Sequence, residues 1–132
     1  MPYEVIQPPT SDDKVVEVGK EIIDAAIKLG RPVDVEGFLQ AWYVGLRVIA
    51  ERDDKGVITG LAFVNIGQRW LFLDNAALVV WHKCENEKAM LDYITMICNA
   101  MGVQCLYHDS EEPIEKTDRI EKYVVTKHIL RR

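Results

Sequence analysis

The chain has 132 residues, 48% of them hydrophobic and 28% charged, which is the balance of one globular domain with one core. Its net charge is -5, from 16 Lys and Arg against 21 Asp and Glu, and the basic residues are scattered apart from Lys127, Arg131 and Arg132, so no basic face is offered to nucleic acid. No run approaches the ~20 apolar residues of a membrane span, Met1 to Pro9 lacks the regions of a secretory signal, and Cys84, Cys98 and Cys105 form an odd set, so a cytoplasmic setting with reduced thiols and no membrane partner is expected.

Tyr3 to Gln7 reads as an extended start, halted by Pro8 and Pro9. Thr10, Ser11, Asp12 and Asp13 supply capping chemistry for a first helix, whose face Val15, Val18, Ile22, Ala26 and Leu29 recurs at helical spacing until Gly30, Arg31 and Pro32. Asp34 caps a second helix with the stripe Val35, Phe38, Leu39, Trp42 and Leu46, weakened by Gly37 and Gly45. Leu46 to Arg52 alternates, Asp53-Asp54-Lys55-Gly56 is a turn, and Val57 to Ile66 is β-branched and aromatic, which predicts a hairpin.

A second turn is predicted at Gly67-Gln68-Arg69, followed by one long strand through Trp70 to Leu73 and Ala76 to His82, with a bulge at Asp74-Asn75. Asn86 to Met101 returns to helical period, with Met90, Ile94, Ile97 and Met101 on one stripe, Leu91 and Cys98 beside it, and Gly102 closing it. Val103 to Tyr107 then completes a right-handed βαβ crossover, parallel to the strand that ends at His82. An acidic loop over Asp109 to Lys116, a short helix over Thr117 to Lys122 and a last strand over Tyr123 to Leu130 follow. The expected fold is one α/β domain over residues 1–132, with a single mixed, mostly antiparallel sheet and helices on both faces, in the order β-α-α-β-β-β-α-β-α-β.

This order resembles the GNAT superfamily of N-acyltransferases over almost the whole chain, and in particular the short GNAT-like proteins of tailed phages. Those carry an aromatic strand with a polar break like Trp70-Leu71-Phe72-Leu73-Asp74-Asn75 before the long helix. The resemblance implies acetyl-CoA docked where the fourth strand splays from the fifth, with its pyrophosphate on a Gly-rich turn that opens the long helix. A helix N-terminus suits an anion, because unpaired N-H donors and the positive dipole end point at it. The matching stretch here, Trp81 to Ala89, has no glycine and places Glu85 and Glu87 at that helix end, offset in part by Lys83 and Lys88.

Two functions follow from the resemblance. In the first, the GNAT-like domain binds no cofactor and works through a protein partner or as a homo-oligomer, as a phage-encoded protein of the virion or the host cytoplasm. Its interaction surface is then expected at Trp42, Tyr43 and Trp70, because Trp and Tyr dominate binding hot spots. In the alternative, a divergent N-acyltransferase holds acetyl-CoA through Val80, His82, Asn86 and Lys88, with Tyr123 as general acid. Tyr123 is weighed against a packing role at the start of the last strand. Glu51, on the first meander strand, is a base for a substrate amine only if buried, and is expected to be an exposed strand carboxylate. His82, Cys84, Cys105 and His108 are the one thiolate and imidazole set, but their spacing matches no standard zinc pattern, so no metal is expected.

Overall fold

The fold comes from a computed structural model, which describes residues 2–69, 74–103, 105–109, 117–120 and 123–129. β1 (Tyr3–Ile6) runs antiparallel to β2 (Arg47–Arg52), β2 to β3 (Ile58–Arg69), and β3 to β4 (Asp74–Lys83). β4 then pairs parallel to β5 (Cys105–Asp109), which pairs antiparallel to β7 (Tyr123–Ile129), and β6 (Thr117–Ile120) lies outside β7. Among the described residues this is one seven-stranded mixed sheet, ordered β1-β2-β3-β4-β5-β7-β6. The parallel pair is the crossover that α3 (Glu87–Ala100) was predicted to bridge.

Two other helices separate β1 from β2. α1 (Asp12–Lys28) buries Val15, Ile22 and Ala26, as its spacing predicts, together with Gly19 and Ile23. α2 (Val35–Tyr43) starts on Asp34, whose carboxylate accepts from the Gly37 amide at 3.0 Å, and buries Phe38 and Trp42. Gly45, at φ +122, takes a left-handed conformation that other residues rarely adopt, and it ends the segment. The stripe is therefore shorter than expected: Val35 is exposed, and Leu46 lies beyond the helix.

Successive residues of a strand face opposite sides, and here they divide between two cores. Val48, Ala50, Leu61 and Phe63 join Ile22 and Ala26 of α1 and Phe38 and Trp42 of α2. Ile49, Ala62 and Val64 join Met90, Ile94 and Cys98 of α3. Trp42 also donates from its indole Nε1 to the Ile6 carbonyl at 3.0 Å, which ties α2 to β1.

Four expectations change. Gly67, Gln68 and Arg69 form no turn; β3 continues through them, and its register runs to Arg69 opposite Asp74. The bulge is not at Asp74-Asn75, which pair in register, but at Val80: Phe63 faces Trp81 and Val64 faces Val79. Thr117 to Ile120 is a strand and not a helix, because four residues beside β7 gain a ladder, whereas a short isolated helix cannot repay its nucleation. Met101 caps α3 and is exposed, while Cys98 takes a fully buried place in the stripe. Among the described residues, no helix is long and apolar enough to cross a membrane.

Candidate functional site

The bulge at Val80 decides what the end of β4 presents. Along a regular strand Val79 and Trp81 would share a face. The extra residue instead leaves Val79 in the α3 core and turns Trp81 to the α1 and α2 side, 5.3 Å from the ring of Phe63 and beneath the Arg31 guanidinium at 5.6 Å. Val80 itself is exposed. Pairing with β5 ends at Val79, opposite His108, while pairing with β3 continues to Lys83, opposite Leu61. Among the described residues, the last residues of β4 thus pass the end of the parallel ladder.

Beside the turn that follows β4 lies Glu51, the one buried charged residue among those described, at 5% exposure. The expectation of an exposed carboxylate is corrected. Glu51 shares the sheet face of Ile49, where Tyr3, Tyr93 and Cys84 pack around it, with the Tyr3 and Tyr93 rings 5.5 Å apart. Its oxygens accept from the Tyr3 hydroxyl at 3.0 Å, the Thr59 hydroxyl at 3.0 Å and the Glu85 backbone N-H at 3.2 Å. Burial and the Glu51 carboxylate push the Tyr3 hydroxyl up to about 12. Burial, Glu51 and Glu87 together push the Cys84 thiol up to about 11. Cys84 is therefore a neutral, poorly nucleophilic thiol at neutral pH.

Gly60 makes this arrangement possible. It lies opposite Glu51 on β3, and a Cβ there would come within 2.6 Å of the Cys84 Cβ, 2.8 Å of its Cα and 3.0 Å of a Glu51 oxygen. Only a bare backbone lets the turn from β4 to α3 come this close. Glu51 has the burial asked of a base, but its oxygens are turned inward onto protein donors, so it holds the turn in place and reaches no external amine.

The residues expected to hold a cofactor are spread along this corner. Val80 lies at the bulge; His82, partly buried, contacts Glu87 at 3.2 Å; Asn86 caps α3 by accepting from the Ala89 amide at 3.0 Å; and Lys88 pairs with Asp92 at 3.0 Å. Tyr123 begins β7, as its packing alternative had it, and the register of Asp109 opposite Val125 puts it at the sheet end where β4 leaves β5. Its side chain lies outside the described residues. The same is true of Trp70 and of the side chains of Cys105 and His108. Among the described residues, no group of three metal-binding side chains comes together.

The expected interaction surface divides. Trp42 is 1% exposed and stacked on Phe38 in the core, so it has no surface to offer a partner, whereas Tyr43 is 55% exposed. The signal for this difference was in the spacing, since Trp42 falls on the apolar stripe of α2 and Tyr43 beside it. Nothing in the sequence pointed to the Tyr3, Glu51, Thr59 and Glu85 cluster, because its members come from β1, β2, β3 and the turn after β4.

An acyl-CoA thioester, the cofactor implied by the resemblance, has two ends to fit. The extended pantetheine arm carries amides that can pair with a strand edge, and β4 pairs with β3 alone, among the described residues, from Trp81 to Lys83. The turn into α3 does not suit the pyrophosphate. Its Glu85 amide is bonded to Glu51 and its Ala89 amide to the Asn86 side chain. Glu85 and Glu87 add exposed negative charge beside them.

No family model and no curated protein matches the chain. Solved structures do. An acetyltransferase of the GNAT family from Listeria monocytogenes superposes with a TM-score of 0.65 at 14% identity, over 97% of this chain and 95% of that one. A GNAT family acetyltransferase from Staphylococcus aureus gives 0.60 at 11% identity, over 92% and 98%. A ribosomal-protein-alanine N-acetyltransferase from Brucella melitensis gives 0.62 at 10% identity, over 92% and 99%. At such identities the likeness shows the fold alone: this chain has the mixed α/β fold of GNAT-family acetyltransferases.

Proposed function

We propose that this chain is a divergent N-acyltransferase that takes its acyl group from a pantetheine thioester laid along β4. The supporting observation is the end of β4: the bulge at Val80 and, among the described residues, the loss of parallel pairing after Val79, in a fold shared with named acetyltransferases. Catalysis then rests on holding amine and thioester together, since positioning alone removes much of the barrier to a two-substrate reaction. Tyr123, first in β7, is the candidate acid for the leaving thiolate. The test is thermal melting with acetyl-CoA at ~1 mM. A donor with a dissociation constant of ~100 µM adds about 1.4 kcal/mol, or roughly 5 °C for a domain of this size. An unmoved melting temperature sinks this reading.

A second reading is favoured by the self-bonded, acidic turn before α3. In it the chain has kept the fold without the cofactor and acts through protein contacts, with a protein partner or a second copy of itself, in a virion or host cytoplasm if it is phage-encoded. The exposed Tyr43 and Val44 at the end of α2 are its candidate contact residues. Self-association that Tyr43→Ala weakens, together with no response to acetyl-CoA, selects this reading over the first.

A further inference from the structure

Two amides of the corner between β4 and α3 are already taken by side chains. The Glu51 carboxylate takes the Glu85 amide, and the Asn86 side chain takes that of Ala89. Glu85 and Glu87 are exposed over the same turn, and the nearest cation on the helix, Lys88, is turned to Asp92. A diphosphate that used the Glu85 amide would have to displace a buried carboxylate that also holds the Tyr3 and Thr59 hydroxyls, and anywhere on this turn it would approach two like charges.

We infer that the corner between β4 and α3 is closed to diphosphate, so that this chain recognises its acyl donor as a pantetheine thioester and draws no affinity from a nucleotide attached to it. The inference rests on the acyltransferase reading and deepens it. Glu51 is then a positioning residue: it reaches the donor site only through the turn that it holds.

The test is calorimetric titration of the intact chain with acetyl-CoA and with S-acetylpantetheine, at low and at physiological salt. The two dissociation constants should agree within about threefold, and neither should weaken much with salt, because no charged group of the donor is being read. Acetyl-CoA binding tenfold or more tightly, with a loss in salt, overturns the inference while leaving the acyltransferase reading intact; failure of both ligands to bind overturns the two together. The double substitution Asn86→Gly and Glu87→Gln, which releases the Ala89 amide and removes one carboxylate, should shift the ratio several-fold toward acetyl-CoA. An unchanged ratio in that variant counts against a closed corner.

Discussion

Glu51 and Glu85, 34 positions apart in the chain, are joined by a hydrogen bond of 3.2 Å from the Glu85 backbone N-H to a Glu51 side-chain oxygen. A side chain near the end of the first meander strand thereby sets the path of the turn that leads into α3. Replacing Glu51 by Ala removes the acceptor from three part-buried donors, the Tyr3 and Thr59 hydroxyls and the Glu85 amide. Because an unsatisfied buried donor costs about 1–3 kcal/mol and these are part-buried, Glu51→Ala should lose about 1–3 kcal/mol in urea denaturation, and Glu51→Gln should lose less. Equal losses in the two variants would show that shape and not hydrogen bonding holds the turn.

Gly60→Ala tests the same contact from the other side. The added methyl meets the Cα as well as the Cβ of Cys84, so a side-chain rotation cannot relieve it and the end of β4 has to move. A cost of about 1–3 kcal/mol is expected, as for other overpacked sites. A Gly60→Ala chain with an unshifted urea midpoint would show that β3 and the turn do not approach this closely.

Alkaline pH should weaken the fold in steps. Burial, with help from Glu51 in two of the cases, raises Cys84 and Cys98 from 9.0 to about 11 and Tyr3 from 10.0 to about 12. A group whose pKa is raised in the folded state keeps its proton there after the unfolded chain has lost its own, so stability is whole below pH 9 and falls between pH 9 and 12. Urea midpoints across this range should decline in wild type, and Tyr3→Phe should flatten the decline between pH 10 and 12. A decline as steep in the variant would assign it to other groups.

Neighbours in sequence should behave as opposites. Trp42→Ala empties a fully buried site and removes the donor to the Ile6 carbonyl, for which about 3–5 kcal/mol is expected, whereas Tyr43→Ala on the exposed side should stay within about 0.5 kcal/mol. A large loss at Tyr43 would mean that α2 is rotated from the position described.

What could be read from the sequence follows how local each signal is. Helices α1 and α2, the strands of the meander and the parallel crossover were legible because period, caps and turn residues repeat over many positions, as with Val15, Ile22 and Ala26 or the Asp34 cap. The bulge was misplaced because Asp74-Asn75 looks like a break, while Val80 is a β-branched residue in an apolar run; only the partners Phe63 and Val64 on β3 show where the extra residue lies. Thr117 to Ile120 could not declare itself a strand before β7 was beside it. The burial of Glu51 depends on contacts between β1, β3 and the turn after β4, which no window of sequence contains.

The central claim, an open edge on β4 beside a closed corner at α3, is tested most directly by backbone amide NMR during titration with S-acetylpantetheine. The account predicts that the amides of Val80 to Lys83 shift on binding while those of Glu85 and Ala89, already bonded to Glu51 and Asn86, stay in place. Shifts confined to residues 85–89, with Val80 and Trp81 unmoved, would contradict it.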